Sequence, residues 1–317
     1  MANKAQIFDQ ILGGKLSDGE ISNALIQMAD RGETAEEIAA AAKAMRARMI
    51  TAKAPAGAID VCGTGGDGQH SLNISTTVAL VVASLDVPMA KHGNRAASSK
   101  AGGADTLEAL GLDLDMAAAG AERTLAEIGI GFFFAQNHHP ALGPLAPIRK
   151  ALGRRTIFNL LGPLCNPCGV KRQLIGVATP NLVETYAAAA QMIGYERLMV
   201  VSGEEGLDEF SIAGPSKVAM LSGGSITHSL ITPEDAGLPR HSLDAIKGGD
   251  AAYNARALTD MLAGQEGAYR DAVLLNSAGA LMVAGAVDSW EEGVEEAGEA
   301  IDKGLAMAML NCWIANQ

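Results

Sequence analysis

Apolar positions in the first fifty residues recur at helical spacing. Ile21, Leu25 and Met28 lie four and three residues apart, the signature of a helix with one buried stripe. Ser17 with Glu20, and Thr34 with Glu37, fit capping boxes that start two such helices. The run AEEIAAAAKAMRARM is built almost wholly of strong helix formers. Residues 51–59 are rich in Pro, Gly and Ala and predict a domain boundary. Beyond it, short apolar runs alternate with longer helical patterns. The runs predict strands over 58–63, 87–93, 131–135, 173–177, 197–203 and 271–276. The intervening patterns predict helices over 73–85, 103–110, 117–127 and 181–193, with a long acidic helix near the end. Such alternation predicts an α/β domain with a mixed, largely parallel sheet, preceded by a small helical domain. The expected division is 1–57 and 58–317.

Composition narrows the class. No apolar run reaches the roughly 18–20 residues of a membrane span, and MANKAQIFDQ lacks the apolar core of a signal peptide. A soluble cytoplasmic protein is expected, with no membrane partner. The net charge of −12 argues against general nucleic-acid binding. That charge is uneven. No Asp or Glu occurs from Ile128 to Val183, a stretch that carries Arg149, Lys150, Arg154, Arg155, Lys171 and Arg172. It is either a basic surface strip or a local site for an anionic ligand. Cys165 and Cys168 form CNPC. No second ligand pair accompanies them, so reduced structural thiols are expected rather than a zinc site.

Four stretches carry candidate chemistry. The first, GTGGDG, joins an apolar strand to NISTTVALVVAS. Glycines there let backbone N–H groups surround an anion, and a helix N-terminus adds partial positive charge. It lacks the lysine of a P-loop. Its GxGxxG spacing is not followed by the acidic residue that NAD binding requires. A plain structural turn is the alternative. The second, KHGNR, places Lys91, His92, Asn94 and Arg95 at the expected carboxyl end of a strand, where open α/β sheets bind ligands. The third, residues 137–167, mixes prolines, glycines and cations as a shaped loop does. In the fourth, GLDE, the adjacent Asp208 and Glu209 point to opposite sides of an extended segment and suit magnesium near phosphates, or else form an exposed acidic turn.

Taken together and in order, GTGGDG, NIST, KHGNR, ADTLEALG, IRK, RTIFNLLGPL, GLDE, GGDAAYNA and LLNSAGAL make this chain similar to the anthranilate phosphoribosyltransferase family over nearly its whole length. The resemblance implies transfer of a phosphoribosyl group from phosphoribosyl pyrophosphate to anthranilate, a helical insertion near 143–165 joining the first domain, a cleft between two domains, two Mg²⁺ ions and a homodimer. It implies that Gly63, Thr64, Gly66, Asp67, Asn73, Ser75, Thr76, Lys91 and Ser99 meet the donor. Ser75, Asp208 and Glu209 would hold the metal. Gly63, Asn94, Arg149, His92, His139, Gly162 and Pro163 would meet or border the acceptor, with His138 competing with His139 for that role. No nucleophilic triad is present and none is needed, because the acceptor amine is itself a nucleophile. A nucleoside phosphorylase of the same architecture and a non-catalytic nucleic-acid-binding relative are the alternatives.

Overall fold

The computed structural model describes residues 4–96 and 100–317. Seven strands form one sheet: β1 (Ile59–Gly63), β2 (Met89–Gly93), β3 (Ile130–Phe134), β4 (Arg172–Gly176), β5 (Arg197–Gly203), β6 (Ser216–Ser222) and β7 (Ser225–Ile231), in the order β3-β2-β1-β4-β5-β6-β7. The first five run parallel, and β6 and β7 close the sheet as an antiparallel hairpin. From β1 the chain winds outward to β2 and β3, then returns to β4 on the other side. The β1/β4 boundary is therefore a topological switch point, where a crevice opens beyond the carboxyl ends of the strands.

Two expectations are corrected. Residues 271–276 are not a strand but part of the helix Ala268–Ala284. DAVLLN is a short apolar run, and such a run cannot distinguish a strand from a buried helix. Here the surrounding helix is buried on nearly every side, which explains its continuous hydrophobicity. The hairpin β6–β7 was not expected. Its signal is the Gly223–Gly224 turn, whose φ values of 57° and 79° suit the twist of a two-residue hairpin. The acidic helix Trp290–Asp302 stops at Lys303, and a separate helix, Leu305–Asn316, follows Gly304.

At the N-terminus the helices are Lys4–Leu12, Asp18–Arg31 and Ala35–Arg46, and both capping boxes form. Phe8, Ile11, Leu25 and Ile38 share one buried cluster with Leu145, Ile148, Ile157 and Phe158, and that cluster continues to Ile175, Tyr186 and Val200 beneath the sheet. The other face of the sheet carries a second core around Val61, Val81, Phe132, Phe210 and Leu275. Among the described residues no helix is long and apolar enough to cross a membrane.

Candidate active site

The crevice is built where β1 and β4 end side by side, Gly63 opposite Gly176. The segment carrying Asp208 lies across both ends. A Cβ on Gly176 would overlap the Asp208 backbone carbonyl, and one on Gly63 would overlap the Asp208 carboxylate. Both glycines are thus required for close approach rather than for turning. Beyond Gly63 the chain turns through Gly65, Gly66 and Gly68 at φ values of 68°, 78° and 73°, a backbone region that favours glycine. Two of the cradle's donors are already used. Thr64 N–H donates to the Gly176 carbonyl at 2.9 Å, and Gly65 N–H donates to Asp208 Oδ2 at 2.8 Å. Among the described residues the N–H groups of Gly66, Asp67 and Gly68 donate to nothing, so they remain available to an anion.

Three carboxylates lie close enough beneath this turn to repel one another. Asp67 Oδ2 is buried without a hydrogen bond. Burial, and then the neighbouring Asp67, push Asp208 up to about 7. Burial, and then Asp208, raise Glu209 well above the usual carboxylate range, with Lys91 and the Ser75 backbone opposing. An exposed acidic turn is excluded, since Glu209 is only 8% exposed. The two acids diverge as the extended segment requires, Asp208 toward Gly65 and Glu209 toward Ser75 at the start of the helix Ile74–Ala83. Asn276 holds the next residue in place. Its Oδ1 accepts from Phe210 N–H at 2.9 Å and its Nδ2 donates to the Phe210 carbonyl at 3.1 Å. This clamp was missed in the sequence because its segment was read as a strand.

A second group forms the opposite wall. His92 Nδ1 lies 3.2 Å from the Gly162 carbonyl, and its Nε2 lies 3.2 Å from His139 Nε2. His138 turns away, with its Nδ1 2.8 Å from the Ile50 carbonyl, so His139 is the histidine that meets His92. Burial, and then its histidine neighbours, lower His92 to about 3; burial, and then His138, lower His139 to about 4. Both rings are neutral at pH 7. Their proton affinity is below that of the unfolded chain, so they favour folding above pH ~6.5 and oppose it as pH falls toward 4. Urea unfolding at pH 7 and 5 should show a stability loss that shrinks in His139→Gln by roughly 1–2 kcal/mol. An identical loss in parent and variant would contradict the buried neutral ring.

Several residues occupy other positions. The Asn73 side chain turns inward, its Oδ1 accepting from Thr106 Oγ1 at 2.5 Å and from Asn254 Nδ2 at 2.8 Å. Asn254 belongs to GGDAAYNA, which thereby supports the cradle's far end. Thr76 is buried against Gly103. Lys91 is buried and donates from Nζ to the Val61 carbonyl at 2.7 Å. Asn94 is exposed and 3.4 Å from Gln136 Nε2. Arg95 is held by Asp105 and Glu108, which removes it from the ligand set. Ser99 lies outside the described residues. The acid-free stretch is mostly structural: Arg154 pairs with Asp30, Arg155 with Glu33, and Arg172 donates to the Ala284 carbonyl at a helix end. Arg149, on the helix Ala146–Leu152 that follows His139, is different. It is half-buried, its guanidinium has no ion pair or hydrogen bond among the described residues, and burial lowers its pKa. Cys165 and Cys168 are free thiols, both pushed up to about 12 by burial, and so are poor metal ligands and nucleophiles.

Comparison with known proteins gives this geometry a family. Residues 56–307 match the α/β domain of a glycosyl transferase family, and residues 4–49 match its helical bundle domain. An anthranilate phosphoribosyltransferase of Novosphingobium aromaticivorans is 62% identical over 97% of this chain and 93% of its own length. The chain belongs to the anthranilate phosphoribosyltransferase family. A relative of that name from Sphingopyxis alaskensis is 60% identical over 98% of this chain and 94% of its own length. Among solved members of the family, the Thermus thermophilus enzyme superposes with a TM-score of 0.93 at 40% identity, covering 99% of this chain and 94% of that one. The Saccharomyces cerevisiae enzyme, in complex with phosphoribosyl pyrophosphate and Mg, superposes at 0.87 with 28% identity, covering 98% and 91%.

Proposed function

We propose that this protein transfers the phosphoribosyl group of phosphoribosyl pyrophosphate to the amine of anthranilate and releases pyrophosphate, a step of tryptophan biosynthesis. The observation that carries this reading is the electrostatic coupling of half-buried Asp67 and Asp208 with buried Glu209, beneath free N–H groups at the switch point. Such a site is destabilised until a cation and an anion arrive together. The donor set fits a hard divalent ion, being all carboxylate and hydroxyl oxygen. Among the described residues no three His, Cys, Asp or Glu side chains gather closely enough to enclose an ion unaided. Magnesium would therefore complete its shell with substrate phosphate oxygens, as it commonly does.

In this reading the loop Gly63, Thr64, Gly66 and Asp67, with Ser75 and Ser99, binds the donor, while Asn73, Thr76 and Lys91, engaged within the protein, support that loop and the helix start from behind. Ser75, Asp208 and Glu209 are the residues that would hold two magnesium ions. Bound magnesium supplies charge to the departing pyrophosphate. Fixed backbone N–H groups orient the same oxygens without reorganisation during the reaction. Arg149 presents its fork to the anthranilate carboxylate, a match of two donors to two oxygens. Its lack of a protein partner leaves both donors for that task. Asn94, Gly63, His92, His139, Gly162 and Pro163 border the acceptor, and the neutral histidines do not compete with Arg149 for its carboxylate. We assign residues 1–57 to the helical domain, count the helical segment near 143–165 with it, and expect a cytoplasmic homodimer. Pyrophosphate release from the donor should require anthranilate, while thymidine with inorganic phosphate should yield no free base. The reverse pattern would identify a phosphorylase.

A further inference from the structure

A buried polar chain lies directly beneath the acceptor wall, in a position where strands usually pack apolar side chains. Asp60 is fully buried on β1, three residues before Gly63. Its Oδ1 accepts from the His92 backbone N–H at 3.2 Å. Its Oδ2 accepts from Asn166 Nδ2 at 2.9 Å and from Gln173 Nε2 at 3.0 Å. Gln173 stands opposite Asp60 in the β1–β4 register. Its Nε2 also lies 3.0 Å from the Pro163 carbonyl, and its Oε1 accepts from the Tyr195 hydroxyl at 2.7 Å. Tyr195 in turn accepts from Arg46 Nη2 at 3.2 Å, and Arg46 Nε donates to the Leu164 carbonyl at 2.6 Å. Arg46 is the last residue of the third N-terminal helix. Asn166, the polar residue inside CNPC, completes the set by donating to the Ala90 carbonyl at 2.8 Å and accepting from Cys168 N–H at 2.9 Å.

We infer that Gln173 and Tyr195 are positioning residues for the acceptor side of the cleft. Through Asp60 they fix the Pro163 carbonyl to the His92 backbone, and thereby set the spacing between His92 and the Gly162–Pro163 turn. Neither side chain belongs to the wall itself. Saturated polar networks in a core define one arrangement, whereas apolar side chains of similar size would fill the same space with less constraint. His92 and Pro163 come from elements seventy-one residues apart in sequence, and Asp60 and Gln173 link them by three hydrogen bonds in series through one carboxylate. The Tyr195–Arg46 contact extends the same chain to the N-terminal helices, so the wall and that lobe share one anchor.

The inference rests on the reading that His92, Gly162 and Pro163 border the acceptor. Removing the Asp60 charge would perturb the fold as well as the wall, so the test uses Tyr195→Phe and Gln173→Met. Steady-state kinetics of Tyr195→Phe should show the KM for anthranilate raised about tenfold, with kcat and the KM for phosphoribosyl pyrophosphate unchanged. Gln173→Met should do the same, and the effects should be less than additive in the double variant, because Gln173 Nε2 and the Tyr195 hydroxyl, 3.0 and 3.4 Å away, converge on the one Pro163 carbonyl. An unchanged anthranilate KM, or an equal rise in both KM values, would overturn the positioning role. In the protein without substrates, the His92 backbone amide resonance should move in Tyr195→Phe; a stationary resonance would overturn the coupling whatever the activity. Failure of the parent protein to consume anthranilate would instead overturn the functional reading, and would leave the resonance test standing.

Discussion

Asp208→Asn combined with Glu209→Gln should abolish magnesium-dependent turnover while leaving the fold at least as stable as the parent. The two effects have one cause. Burial and mutual repulsion among Asp67, Asp208 and Glu209 hold protons on Asp208 and Glu209 beyond the usual carboxylate range. Neutral amides of the same shape relieve that repulsion, so the folded state loses nothing by the exchange. The same exchange removes the charge that would hold magnesium against the leaving pyrophosphate. Losing even one preorganised charge-stabilising group commonly slows a reaction by 10²–10³-fold, and two should cost more than about 10³-fold. Thermal melting and turnover across a magnesium titration check both halves. Wild-type turnover in the double variant would remove the metal role. A large loss of stability would show that these carboxylates are structural.

Arg149→Ala should weaken anthranilate far more than the donor. Its guanidinium is half-buried without a carboxylate partner, so its binding capacity is unspent in the free protein. Hydrogen bonds to charged groups contribute roughly 1.5–3 kcal/mol, which predicts an anthranilate KM raised about 10- to 150-fold. Arg149→Lys should recover only part of this, since an ammonium cannot present a planar fork. Other cations of the acid-free stretch should behave differently. Arg154 and Arg155 are paired with Asp30 at the end of the second N-terminal helix and with Glu33 in the turn after it, and their loss should appear in stability before it appears in KM. Equal damage to both substrates in Arg149→Ala would refute the assignment.

The parallel strands were legible because each is a short apolar run closed by a glycine or a turn, and because the helices between them carry a clear period. The glycine cradle and the Asp208–Glu209 pair were legible as chemistry because few structural roles demand those residues in that order. What sequence reasoning missed depends on long-range partners. Asn276 reads as one polar residue in an apolar run, and only the fold shows it clamping Phe210 next to Glu209. Asn73 opens the expected helix at the phosphate site, yet Thr106 and Asn254 turn its amide inward. Arg95 reads as part of a cationic cluster until Asp105 and Glu108 are brought against it. The acid-free stretch has the charge pattern of an anion site, but Arg154 and Arg155 meet acids donated by the helical lobe, and Lys171 and Arg172 donate to backbone carbonyls. Local pattern identified what chemistry is present; three-dimensional pairing decided which groups remain free to perform it.

The central claim is that one chain joins phosphoribosyl pyrophosphate to anthranilate in a cleft whose acids require magnesium. Anthranilate fluorescence measures it directly. Emission should fall with time only when protein, phosphoribosyl pyrophosphate and Mg²⁺ are all present, and should hold steady when the donor is omitted or the metal is chelated. Loss of emission without the donor, equal rates with and without Mg²⁺, or no loss under any combination would contradict the account.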